Sequence, residues 1–187
     1  MTELRAFFSH KNKVPIYIET EAFRKNPPSH PRAAIIWLHG LGADGHDFVP
    51  LAHDFEKKTG LALRFIFPHA PSRPVTINQG AIMPAWYDIT GFGLEAREDK
   101  AGLEETTAFI FKLMDEQKKA GILTQNIFLG GFSQGGAAIL YAGLQYPEPL
   151  GGLIALSAYL PFSHALPSFI KTKKDYLKVI SIFWSFN

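Results

Sequence analysis

A serine at position 133 stands between two glycines, in Gly131-Phe132-Ser133-Gln134-Gly135. A serine hydroxyl is a weak nucleophile at neutral pH. It becomes an effective one when a turn exposes it, backbone N–H groups face it and a base takes its proton. The G-x-S-x-G spacing meets the first two demands when a strand ends just before it and a helix starts just after. Both signals flank it here. Ile127-Phe128-Leu129 is an apolar run of strand type, and Gln134 to Leu144 reads as a helix that opens on the small residues Gly136-Ala137-Ala138. So tight a turn needs small neighbours, hence Gly131 and Gly135. Ser133 is therefore the candidate nucleophile, placed at the positive end of a helix. A glycine-rich turn with an idle serine is the competing reading, and the flanking elements disfavour it.

A second motif, His39-Gly40-Leu41-Gly42, follows the apolar run Ala33 to Leu38. Acyl transfer through a serine requires two N–H donors for the oxyanion. One comes from the residue after the nucleophile, here Gln134. The other comes from a loop after an earlier strand. Leu41 is the candidate, because Gly40 and Gly42 free its N–H to point inward. A turn with an incidental histidine is the alternative.

These residues need elements to hold them. Val14-Pro15-Ile16-Tyr17-Ile18 reads as an early strand, and Asn26 to Arg32, with three prolines, as a loop. Ala33 to Leu38 is a continuous apolar run, as in a strand buried on both faces of a parallel sheet, and Leu61 to Phe67 reads as another buried strand, stopped by Pro68. A helical pattern begins at Asp47, with Phe48, Leu51, Ala52 and Phe55 on one face. A longer helix is expected from about Lys100 to Ala120, lined by Leu103, Thr107, Ile110 and Met114 and stopped by Gly121. Leu153 to Leu156 is a further strand. Pro71 to Ile89 reads as a long irregular aromatic segment of the kind that carries function. Strands alternating with helices specify an α/β fold, and 187 residues suit a single domain over 1–187.

Composition removes several classes of function. Hydrophobic residues are 47% and charged residues 19%, a globular balance. With 19 basic and 17 acidic side chains, the net charge of +2 is too even to suggest a nucleic-acid partner. There is no cysteine, so no disulfide and no thiolate site. The N-terminus does not read as a signal peptide, and no run approaches the length of a transmembrane segment. A cytoplasmic location is expected. His39, His46, Asp47 and His53 match no metal motif, so neither a metal nor a cofactor is expected.

The chain resembles the carboxylesterase, phospholipase and acyl-protein thioesterase family of small α/β-hydrolases. The resemblance rests on Leu38 to Ala43, Phe67-Pro68-His69-Ala70-Pro71, Pro74-Val75-Thr76, Met83 to Ile89, Asn126 to Gly136 and Leu156 to Pro161. It spans about residues 14 to 162. It implies an α/β-hydrolase fold, a mostly parallel sheet with helices on both faces. It also implies hydrolysis of a carboxylic ester, lysophospholipid or acyl-thioester through an acyl-enzyme on Ser133, with Leu41 and Gln134 as oxyanion donors. By the same resemblance Pro71 to Trp86 borders an acyl-chain groove, and Ile77, Ile82, Met83 and Trp86 suit such a pocket. Ordinary core packing suits Trp86 and Tyr87 equally well.

The sequence departs from the family after Pro161. The family's order is serine, then an acid, then histidine. Here the remaining candidates are Asp175 and His164, and neither has the family's context. Asp175 precedes the apolar run Val179 to Trp184, whereas the family's aspartate follows the corresponding strand. The expectation is a domain lacking its last strand or strands and helix, truncated or frame-shifted. Either a hydrolase or a catalytically impaired relic with an acyl-binding groove follows. Apolar surface left open is expected to cause marginal stability or self-association.

Overall fold

In the computed structural model, which describes residues 3–8, 15–21, 31–61, 63–91, 98–165 and 178–182, the first apolar run forms β3 (Ala34–Leu38), buried along its whole length. Successive side chains of a strand point to opposite faces. Ile35 and Trp37 accordingly join Ala52, Phe65 and Phe67 on the side covered by α1 (Val49–Thr59). Ala34, Ile36 and Leu38 join the larger core on the other side. That core is closed by Leu103, Ile110 and Met114 of α2 (Lys100–Lys119) and by Ala137, Ala138 and Tyr141 of α3 (Gln134–Gln145). Each large side chain so buried stabilises the fold by about 1.5–3 kcal/mol before entropy is counted.

The remaining strands are β1 (Glu3–Phe8), β2 (Pro15–Glu21), β4 (Arg64–Pro68), β5 (Ser72–Val75), β6 (Ala81–Pro84), β7 (Ile127–Phe132), β8 (Gly152–Leu156) and β9 (Val179–Ile182). Seven of them form one sheet in the order β1-β2-β4-β3-β7-β8-β9. β1 pairs antiparallel with β2, and β2 antiparallel with β4. Every other pair in the sheet is parallel. This is the α/β-hydrolase arrangement that the sequence resemblance implied. The chain leaves β3 toward β4 on one side and later returns to pair β7 on the other. Ligands of open α/β sheets bind at the carboxyl ends of strands where the order reverses in this way.

Three expectations change. The helix read from Asp47 begins at Val49, after a 3-10 turn over Gly45–Phe48 that Asp44 caps by accepting the His46 N–H at 2.7 Å. Phe48, Ala52 and Phe55 still pack against the sheet, while Leu51, at the margin of that face, is 38% exposed. Pro71 to Ile89 is largely regular, because β5 and β6 pair as an antiparallel ribbon from Ser72↔Pro84 to Val75↔Ala81. Its prolines are tolerated because both strands are edges. β1 was not foreseen at all. Residues 26–30 of the expected proline-rich loop lie outside the described residues.

Candidate active site

The site begins with register. Leu38, the last residue of β3, pairs with Gly131 of the parallel neighbour β7. The segments leaving the two strands therefore emerge side by side. A Cβ added at Gly40 would lie 3.6 Å from Ser133 Cβ and 3.2 Å from Phe132 Cδ1, so the loop and the serine turn are in contact.

Ser133 has φ 52° and ψ −118°, a conformation non-glycine residues rarely adopt and one that costs about 1–3 kcal/mol. Its neighbours hold it there. The Ser133 N–H donates to Leu156 O at 2.8 Å, and Ser133 O accepts from Ala137 N–H at 3.0 Å as the first turn of α3. A Cβ at Gly131 would meet Gly135 C at 2.5 Å, and one at Gly135 would strike the Leu38 and His39 carbonyls. The motif glycines thus let the helix start press against both strands. Ser133 makes no side-chain cap for α3, and its hydroxyl has no hydrogen-bond partner among the described residues.

The loop after β3 turns at Gly40–Ala43, where Ala43 N–H donates to Gly40 O at 3.2 Å and Gly42 takes φ +75°. His39 is 1% exposed, and both its ring nitrogens are engaged. Nε2 accepts the Ala70 N–H at 3.1 Å, so the proton sits on Nδ1, which donates to Gly40 O at 2.8 Å. Burial holds its pKa below the ordinary histidine range, despite an opposing pull from the Gly40 carbonyl. Gly40 O is thereby fixed by two donors. In a trans peptide the carbonyl and the following N–H point opposite ways, so the Leu41 N–H is turned away from them. Neither it nor the Gln134 N–H, the two groups expected as oxyanion donors, has an acceptor among the described residues.

Of the four expected groove residues, three belong to the β5–β6 ribbon and its connection. Met83 lies beside the loop: a Cβ on Gly42 would be 3.9 Å from its Sδ, and Gly42 N–H donates to Pro84 O at 2.9 Å. Ile77 is half-buried, and Ile82 is 76% exposed. Trp86 is placed differently. At 1% exposure it sits beneath the loop, its indole N–H donating to His39 O at 2.8 Å, and it packs as core. An aromatic residue after a proline-bounded ribbon gives the same sequence signal in either role.

The remaining candidates lie elsewhere. His164 is in an exposed turn, its ring 6.0 Å from that of Phe162. Asp175 is outside the described residues. Asp44, His46 and His69 bring one ligand-type atom each within 4.8 Å of the others, a grouping the sequence spacing did not suggest. All three side chains already make hydrogen bonds: Asp44 Oδ1 with His46 Nδ1 at 3.0 Å, and His69 Nδ1 accepting the Gly45 N–H at 3.3 Å.

With this geometry in view, the chain matches the family model described as phospholipase/carboxylesterase over residues 20–185. Acyl-protein thioesterase 1 of Schizosaccharomyces pombe is 41% identical over 143 residues, covering 76% of this chain and 63% of that protein. Acyl-protein thioesterase 1 of Emericella nidulans is 41% identical over 147 residues, 74% of this chain and 61% of that protein. The chain thus spans a little under two thirds of the length of these relatives. Among solved structures, Arabidopsis thaliana SOBER1 superposes with a TM-score of 0.70 at 36% identity, over 74% of this chain and 67% of the other. Zea mays acyl-protein thioesterase 2 gives 0.69 at 26% identity, over 84% and 73%.

Proposed function

The chain belongs to the phospholipase/carboxylesterase family, and from that premise we propose that it is built to hydrolyse carboxylic ester or thioester bonds through an acyl-enzyme on Ser133. The observation that carries this reading is the strained Ser133 turn in contact with the loop at Gly40, with the N–H groups of Leu41 and Gln134 unused among the described residues. In the reaction, Ser133 Oγ attacks the acyl carbonyl carbon, and its proton passes to a base. The carbonyl oxygen becomes an oxyanion held by the two N–H donors. Collapse expels the alcohol or thiol, and water then releases the acid. Relatives named acyl-protein thioesterase support an acyl substrate, and Ile77, Ile82 and Met83 would border its chain. The reading needs no cofactor. It places the chain in the cytoplasm, in keeping with the absence of cysteine; no helix among the described residues is long and apolar enough to cross a membrane.

The base is the open element. His39 is committed through both ring nitrogens, and no described histidine bonds to Ser133. The second reading is an acyl-binding relic without efficient turnover. Oxyanion donors and binding alone sustain roughly 10³–10⁴-fold acceleration over water in serine hydrolases stripped of triad members. Turnover of a p-nitrophenyl ester by the chain and by Ser133→Ala separates the readings. Loss of turnover in the variant supports the acyl-enzyme; equal slow rates leave only the relic. Exposed Val179 and Ile180 on β9 further support self-association with a second copy of the chain.

A further inference from the structure

Gln134 engages its backbone and its side chain differently. Its backbone N–H, next to Ser133, has no acceptor among the described residues, while its side chain lies in the core, the residue being 2% exposed. There Oε1 accepts the Trp86 N–H at 3.0 Å, and Nε2 donates to Tyr87 O at 2.7 Å. The partners dictate which end of the amide is which, since an N–H must meet oxygen and a carbonyl must meet nitrogen. The amide therefore clamps residues 86–87 to the first turn of α3. Thr106 Oγ1 holds the segment from its other side by donating to Trp86 O. The Trp86 ring lies 6.4 Å from Phe109 and 5.0 Å from His39, and its indole N–H holds the His39 carbonyl.

This arrangement bears on the oxyanion loop. Trp86 fixes the His39 carbonyl, and the His39 ring fixes the next carbonyl, that of Gly40. Two consecutive peptide planes are then set, and the second carries the Leu41 N–H. We propose that the Gln134 side-chain amide and the Trp86 indole N–H are positioning groups for the Leu41 donor. One residue supplies an oxyanion donor from its backbone and aims the other through its side chain. The inference rests on the acyl-transfer reading for its catalytic consequence, but not for the geometry it asserts.

The test uses the full chain, ¹⁵N-labelled, with Trp86→Phe, which keeps the ring and removes the N–H. Gln134→Met, of similar volume without the amide, is the second variant. Phe109→Leu is the control, because it loosens packing on Trp86 without touching His39. Misaiming a catalytic group costs up to about 10²-fold in rate. The expected result is a shifted, faster-exchanging Leu41 amide in Trp86→Phe. It is accompanied by a kcat for p-nitrophenyl acetate that is lower by about 10- to 100-fold with KM little changed. Phe109→Leu should leave both as in the parent, even where its Tm falls as far. An unmoved Leu41 amide in Trp86→Phe overturns the proposal, as does a control that reproduces the kcat loss. If parent and Ser133→Ala are equally inactive, the acyl-transfer reading fails, and the Leu41 amide alone still decides the positioning.

Discussion

Ser133, Gly131 and Gly135 illustrate how three residues set a reactive geometry. The backbone strain at Ser133 survives because the helix start is pressed onto the Leu38 and His39 carbonyls. Gly135→Ala inserts a methyl group into those carbonyls, and overpacking of this kind costs about 1–3 kcal/mol. A lower urea midpoint than the parent's is expected, and an unchanged midpoint would contradict the packing. His39 offers a pH test. Its folded pKa is depressed, chiefly by burial, below the ordinary 6.5. The unfolded chain then binds more protons in mild acid, so the contribution to stability is complete above pH 6.5 and lost as pH falls through the folded value. His69 is depressed by burial in the same sense. Urea midpoints should fall below pH 6.5, and His39→Gln should flatten the fall in part; a slope unchanged by the substitution would count against it. The strand-to-helix turn at Ser133 and the loop after β3 were legible because the G-x-S-x-G spacing and the flanking apolar runs specify them. Burial of Trp86 was not, since the sequence does not say which face of a loop an aromatic ring occupies.

The β5–β6 ribbon is the element that sequence patterning described least well. Its pairing is short, and its prolines read as loop. Arg73 of β5 donates to Glu105 of α2 at 3.1 Å, tying the ribbon to the helix. Glu105 is mostly exposed, so Glu105→Gln should cost less than about 1 kcal/mol in denaturant titration. Ile82 stands out from the ribbon and contributes little to the core. If this edge receives the acyl chain, Ile82→Asp raises KM for a long-chain ester severalfold, with Tm and short-chain turnover unchanged. Equal KM values for the long-chain ester would remove Ile82 from the groove. By contrast, β3, α2, β7 and α3 were read nearly in full, because continuous apolar runs and 3.6-residue periodicity survive in the fold. β1 lacks such a run and owes its place to pairing with β2.

For the molecule as a whole, register unites the site: β3 beside β7 brings residues 39–42 to Ser133. The same sheet ends, among the described residues, at β9, parallel to β8. Val179 and Ile180 on it are 47% and 57% exposed. Unpaired backbone groups on an apolar strand are a template for pairing with another chain, and we propose that β9 acts in this way. Size-exclusion chromatography should show concentration-dependent association, reduced in Ile180→Lys. A monomer at all concentrations would contradict this. The apolar run at 179–184 was visible in the sequence, whereas its partner strand was fixed only by the order of the sheet.

The central claim is that Ser133 is an acyl-accepting nucleophile framed by Leu41 and Gln134. It is tested most directly by hydrolysis of a short-chain p-nitrophenyl ester, with the parent and Ser133→Ala measured side by side. The account predicts turnover by the parent at least about tenfold above the variant, since the oxyanion donors act only on an acyl group attacked at that position. Indistinguishable rates would contradict it.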